Sequence, residues 1–565
     1  IHHSDEVSMD STHPLAILPR RAWLFTALLI MVVSGSGSVL AQAAETTAET
    51  AAAEPPAESA AATPPQGPPA PAPAVVTRFA DERLEVADLP APRRFVTQHQ
   101  TTIRGKTVSY TATAGETYIT NLFGEPTASI FSFAYVKDGP RDTDRPVLFV
   151  FNGGPGSSSV WLHMGVVGPR RLVLDREVNP SNTPPFGLAD STYSPLDVTD
   201  LVFIDPVGTG FSHAVGHAKN SDFFGVDEDA DAVARFIELW LTENQRWTSP
   251  KYLMGESYGA TRAAILPRAL MGGPMYSGVM RGITVNGVIL VSPALGAGVP
   301  EAEAPEGPDP RAGQAIPGMA VTAWFHGRTT KDGRSAAQVY ADAFEWASTD
   351  YANAIYQFSK DNLPDAEIQG IAAQLETLTS LPQQTWIENK LSISSQAFLK
   401  QLLADEGLEA GSYDSRYTLP LAGSGGDPVA DDPAMGRYVP GFIAAFHEMI
   451  TTELGVDMAI PYNSITFTEV NYGWKWERIP IARGRNPAED LAMAVRRTPA
   501  LRVMVATGYY DIVTSPASAL NQLQESGFPP GRLYHRHYES GHMLYLGETA
   551  EAFADDVRNL VLGQQ

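Results

Sequence analysis

Three residues of this chain stand in the order that acyl-transfer chemistry requires. Ser257 lies in Gly255-Glu256-Ser257-Tyr258-Gly259, directly after the apolar run Tyr252-Leu253-Met254 and before the helix-compatible stretch Ala260 to Leu266. A G-x-S-x-G where a strand turns into a helix is a nucleophile elbow, and its glycines permit a turn too tight for Cβ atoms around a strained serine. A serine hydroxyl attacks only when a base accepts its proton, the base is oriented, and donors await the oxyanion. Asp511, which follows the apolar run Leu501 to Ala506 through Thr507-Gly508-Tyr509-Tyr510, and His542, in Glu539-Ser540-Gly541-His542-Met543, supply the acid and the base downstream of the serine. Asp205, in Ile204-Asp205-Pro206, is the main rival of Asp511 but precedes the elbow. Of the 12 histidines, His535 and His537 flank Arg536 and are expected to alternate with it on a strand, which leaves His542 as the base.

The loop Asn152-Gly153-Gly154-Pro155-Gly156 follows the apolar run Val147 to Phe151. Its glycines let backbone N–H groups approach a substrate, so this loop is the expected oxyanion loop, with the N–H of Tyr258, the residue after the serine, as the second donor. Taken without its neighbours, the same Gly-Pro cluster would read as an ordinary turn. The chain has no phosphate loop, no H-E-x-x-H or other metal-ligand cluster, and no dinucleotide fingerprint, so neither a cofactor nor a metal is implied.

The elements that must position these residues follow from periodicity. Alternation over 128–135 and the run 107–111 after the turn Arg104-Gly105-Lys106 predict antiparallel leading strands. The runs 147–151, 201–204, 252–254, 287–291 and 502–506 are apolar throughout, as strands buried on both faces are. Val233, Phe236, Ile237 and Trp240 have helical spacing within 226–242. Strand, helix, strand in alternation predicts an α/β fold with a mixed, mostly parallel sheet flanked by helices, and ligands then bind at the carboxyl ends of the strands. With the elbow and the order Ser, Asp, His, this is the pattern of the α/β-hydrolase fold.

The alternation lapses over 298–472, where 336–347, 365–378 and 438–454 have helical patterns. This interval is expected to be a helical cap inserted between two parts of the core, 77–297 and 473–565; a separate domain with its own activity is the alternative. Within 1–41, Arg20-Arg21, the apolar run Ala22 to Val33 and Val39-Leu40-Ala41 read as a cleaved signal peptide with Met9 as its start, too short to anchor the protein stably in a membrane. Residues 42–76, rich in Ala and Pro, cannot bury enough apolar surface to fold and are expected to be a disordered linker. The protein is thus expected to be exported, to the periplasm or outside the cell. The 565 residues are 44% hydrophobic, contain no cysteine and carry a formal charge of −24 without a basic block, which excludes a disulfide framework and argues against nucleic acid as a partner.

Asn152 to Ser158, the run Asp200-Leu201-Val202-Phe203-Ile204-Asp205-Pro206-Val207-Gly208-Thr209-Gly210-Phe211-Ser212, Gly255 to Gly259 and Gly541-His542-Met543 together resemble the serine carboxypeptidase family, the relatives of carboxypeptidase Y. The resemblance implies a peptide substrate, a triad of Ser257, Asp511 and His542, and an oxyanion hole of Gly154 and Tyr258. It further implies that Asn152, Gly153 and Glu256 bind the substrate's terminal carboxylate and that Met543 lines the leaving-group pocket. Two departures stand against it. The family pattern places a second glutamate about ten residues beyond the Gly-Pro-Gly turn, to share a proton with the one before the nucleophile; Val166 stands there. Tyr509 replaces the aspartate usual after Gly508. The leading expectation is a serine peptidase that releases C-terminal residues, with an esterase or acyltransferase on the same scaffold as the alternative. A non-catalytic binding protein is the reading from a different class.

Overall fold

The computed structural model describes residues 89–173, 178–296, 313–421, 426–478 and 482–564. The signal-peptide and linker expectations for 1–41 and 42–76 lie outside these residues. Main-sheet strands β1 (Arg94–Ile103), β2 (Lys106–Thr120) and β3 (Pro126–Lys137) form an antiparallel meander. Arg104 and Gly105 both have positive φ, as the two-residue turn between β1 and β2 demands. β4 (Val147–Phe151), β5 (Asp200–Ile204), β6 (Lys251–Glu256), β7 (Gly287–Val291), β8 (Arg502–Gly508) and β9 (Leu533–Tyr538) follow. The order across the ten-stranded sheet is β1-β2-β3-β5-β4-β6-β7-β8-β9, with the short strand His213–Ala214 pairing beside β3. β5 meets β3 antiparallel, and every pairing from β5 to β9 is parallel.

β4, β5, β6 and β7 are buried along their whole length, which is what their unbroken apolar runs require. Helices cover both faces. On one, α1 (Val226–Glu243) buries Val233, Phe236, Ile237 and Trp240 beside α2 (Tyr258–Met271) and α7 (Pro487–Arg497). On the other, Trp161, Phe442, Phe446, Phe553 and Val557 pack on Phe133, Leu148, Phe203 and Met254. This layered, mostly parallel sheet is the α/β-hydrolase fold with a helical cap.

Between β7 and α7 the chain behaves as two units. Helices α3 (Ile316–Phe325), α4 (Ala336–Trp346) and α5 (Asp365–Thr379) precede a segment ending near Ala410, and much of this stretch closes on a core of its own around Tyr351, Trp386 and Phe398. Helix α6 (Met435–Glu448), prolonged by a π-helical turn to Glu453, instead shares the core of the sheet. α8 (Pro516–Glu525) and α9 (Ala550–Leu562) complete the second part of the core.

Candidate active site

Ser257 sits between the last residue of β6 and the first of α2, at φ 60° and ψ −125°, a conformation most side chains avoid. It is held there by close backbone approach. Its N–H donates to Val291 O at 2.9 Å, and a Cβ on Gly259 would lie 2.8 Å from the carbonyl oxygens of Phe151 and Asn152. On Gly255 a Cβ would overlap the Gly259 carbonyl, so both glycines of the motif are sterically required. Arg262, one turn into α2, is buried; it donates to Asn152 O at 2.8 Å and to Asp229 Oδ2 at 2.7 Å, tying α2 to the loop after β4 and to α1.

That loop presses against the elbow. A Cβ on Gly153 would lie 2.5 Å from Tyr258 N, and Gly154 has φ 101°. Tyr258 is the first residue of α2, so its N–H is one that the helix leaves without an acceptor. The loop after β4 therefore lies against the N-terminus of α2 beside Ser257, and the Tyr258 ring is fixed edge-on between Trp474 and Trp476.

His542 and Asp511 come from loops after β9 and β8. Asp511 Oδ2 accepts from His542 Nδ1 at 2.8 Å, with both residues buried. Thr514, absent from the sequence reading, donates its backbone N–H to Asp511 Oδ1 at 2.9 Å and its hydroxyl to Asp511 Oδ2 at 2.6 Å. Ser292, one residue past the acceptor of the Ser257 N–H, donates to His542 O at 2.7 Å. The tip of β7 therefore links the serine loop to the histidine loop. Burial pulls the His542 imidazole down, and the Asp511 carboxylate against it outweighs this, so the ring titrates above its ordinary value.

Asp205, the rival acid, is bonded elsewhere: its Oδ1 accepts from Ser159 N at 2.9 Å and Ser159 Oγ at 2.8 Å. His535 and His537 lie on β9 with Arg536 between them, His537 packing against Tyr509 and Tyr340.

Part of the site comes from the insert. His542 N donates to Tyr413 O at 2.6 Å, Ile512 N to Ser412 O at 3.0 Å and Ser415 N to Tyr510 O at 3.0 Å, while Arg416 Nη1 reaches Glu539 O at 2.8 Å. The Tyr413 ring meets the His542 ring edge-on at 5.3 Å. Further along, Ser158 N donates to Ser464 O at 3.0 Å and Thr466 N to Gly156 O at 2.7 Å. Nothing in the sequence of 412–416 or 464–466 marks these roles, since they are backbone contacts of ordinary loop residues.

Asn152, Glu256 and Met543 are all buried, whereas Ser257 and Gly154 retain solvent contact. Glu256 points into a polar corner beside Asn152 and Tyr545; burial first, and the Asp511 charge with it, push its carboxyl up to about 7 against the pull of His542. Val166 is buried in the π-helical turn His163–Val167. Met543 packs in the core on the α9 side of the sheet.

Residues 115–290 match the family model described as serine carboxypeptidase. This segment, less than a third of the chain, is similar to the serine carboxypeptidase family. The serine carboxypeptidase-like proteins 5 and 2 of Arabidopsis thaliana are 32% and 30% identical to it over 130 and 128 residues, in each case 22% of this chain and 28% of the relative. The chain thus aligns with less than a third of the length of these relatives. Among solved structures, proline iminopeptidase of Mycobacterium smegmatis aligns over 80% of this chain and 98% of its own at 12% identity and a TM-score of 0.35. The segment matched by the serine carboxypeptidase model holds Asn152, Gly154, Glu256 and Ser257 but ends before Asp511 and His542, whose pairing is seen in the geometry alone.

Proposed function

We propose that this protein is an exported serine peptidase that releases C-terminal residues from peptides through an acyl-enzyme. The observation that carries the reading is the buried His542–Asp511 pair at 2.8 Å, joined through the tip of β7 to a strained serine at an elbow. Ser257 Oγ attacks the scissile carbonyl as His542 Nε2 takes its proton; Asp511, fixed by Thr514, holds the tautomer with Nδ1–H and stabilises the imidazolium. The oxyanion meets the N–H groups of Gly154 and Tyr258. The imidazolium then protonates the leaving amine, and water repeats the sequence on the acyl-enzyme.

A C-terminal carboxylate would dock at Asn152, Gly153 and Glu256, with the departing residue on the Met543 side. Glu256, raised to about 7, is protonated in mildly acid solution and there donates to a carboxylate instead of repelling it. The family-model match over 115–290 and the Arg20-Arg21 run with its apolar sequel support the peptidase and the export readings respectively.

The test is kcat/KM for a blocked dipeptide with a free C-terminus and for its amide. Preference for the free acid is the expected result; equal cleavage at every pH would turn the assignment to an esterase, amidase or acyltransferase. Val166, in place of a second carboxyl, is the observation that favours that second reading.

A further inference from the structure

Two buried polar atoms beside the nucleophile, Glu256 Oε2 and the Tyr545 hydroxyl oxygen, make no hydrogen bond of good geometry, and their polar company is each other and the Asn152 side chain. Their residues are each 4% exposed and lie together, with Asn152 as the common neighbour. A buried polar atom without a well-formed hydrogen bond is costly, so two at one spot need a compensating reason. Asn152 Oδ1 accepts from Leu162 N at 3.1 Å, so it is the amide NH2 that faces the Glu256 and Tyr545 side chains.

Tyr545 reaches this corner from three residues beyond His542. Its ring passes so close to Gly165 that any side chain there would overlap it, and it meets Phe442 edge-on at 6.5 Å. The phenol therefore comes in beside Gly165-Val166, the segment in which a second carboxyl is lacking.

We propose that Tyr545 determines specificity: its O–H, together with the Glu256 carboxyl and the Asn152 amide, grips the C-terminal carboxylate of the substrate in the role that Val166 leaves unfilled. This rests on the carboxypeptidase reading. The donor set matches an anionic acceptor with two oxygens, each able to take more than one hydrogen bond. Burial keeps the phenol from ionising within any working pH, so it remains a donor when Glu256 has lost its proton.

The experiment compares wild type with Tyr545→Phe, each normalised to active sites titrated with a fluorophosphonate, on a blocked dipeptide and on its amide. Wild type is expected to prefer the free acid, and Tyr545→Phe to lower that preference about 10- to 100-fold, mainly through KM. Because the hydroxyl makes no hydrogen bond of good geometry in the free protein, the unliganded melting temperature of Tyr545→Phe is expected to match that of wild type. A fall in melting temperature would mean the hydroxyl is structural and would overturn the proposal. So would an equal loss on both substrates, or a preference unchanged from wild type; in the last case the carboxypeptidase reading stands without Tyr545. If wild type itself cleaves acid and amide alike, that reading fails and the proposal fails with it.

Discussion

The serine and its two partners are held by different means. Ser257 is fixed by its own neighbours: Gly255 and Gly259 admit the turn, β7 takes its N–H, and Arg262 locks α2 to the loop after β4. Asp511 and His542 are on loops whose backbones are tied to Ser412, Tyr413 and Ser415, far away in sequence and part of the insert. The proposed nucleophile is thus a property of the sheet, and the proposed acid–base pair a joint property of sheet and cap. Local motifs reveal the first arrangement and are blind to half of the second.

The comparison is sharpened first at the chemistry. Ser257→Ala and Asp511→Asn are each expected to lower kcat by about 10⁴ or more with the fold intact, the first by removing the nucleophile and the second by favouring the wrong imidazole tautomer. Far-UV circular dichroism alongside single-turnover acylation checks both. An Asp511→Asn variant at wild-type rate would break the comparison at its root.

Gly541→Ala probes the joint between sheet and cap. The new methyl would overlap Tyr413 O and the Asp414 side chain, so the His542 loop must part from the insert. We expect a stability loss of about 1–3 kcal/mol by denaturant titration and a fall in kcat that exceeds any change in KM. Arg416→Ala, which removes the contacts to Glu539 O and Asp414, should act in the same direction more weakly, by roughly a hydrogen bond's worth of 0.5–1.5 kcal/mol.

A further effect is one of pH. A carboxyl raised on folding from its ordinary value to about 7 is protonated preferentially in the folded state, so it disfavours that state increasingly as pH rises from about 4.5 through 7. Glu256→Gln removes this penalty, worth about 2–3 kcal/mol by linkage, and should flatten the loss of stability between pH 5 and pH 8 in thermal melts. His542 contributes the same trend by a different route: its raised value favours the folded state at low pH, and that contribution is lost as pH rises through the folded value.

Much of this was legible beforehand. The five apolar runs and the helix 226–242 mark the central strands and α1 to within a few residues, because burial on both faces leaves no polar position to blur a strand. Chain order separates Asp511 from Asp205, and in the structure Asp511 faces the His542 imidazole while Asp205 bonds Ser159. Thr514, Ser292 and Tyr413 were not legible, since a threonine hydroxyl or a backbone carbonyl acquires its role only when distant segments meet. The division of 316–453 between a core of its own and the core of the sheet was hidden for a related reason: α6 has the same amphipathic pattern whichever partner buries it.

The contact of Tyr413 and Asp414 with Gly541 makes the cap something other than an interchangeable part. Chimeras that import a foreign pocket-shaping segment must carry over 412–416 unchanged, or rebuild its carbonyl pattern, before any new substrate preference can be read. Directed evolution of this scaffold would meet the same restriction, and diversity is better introduced into the helices around Trp386 than at the seam.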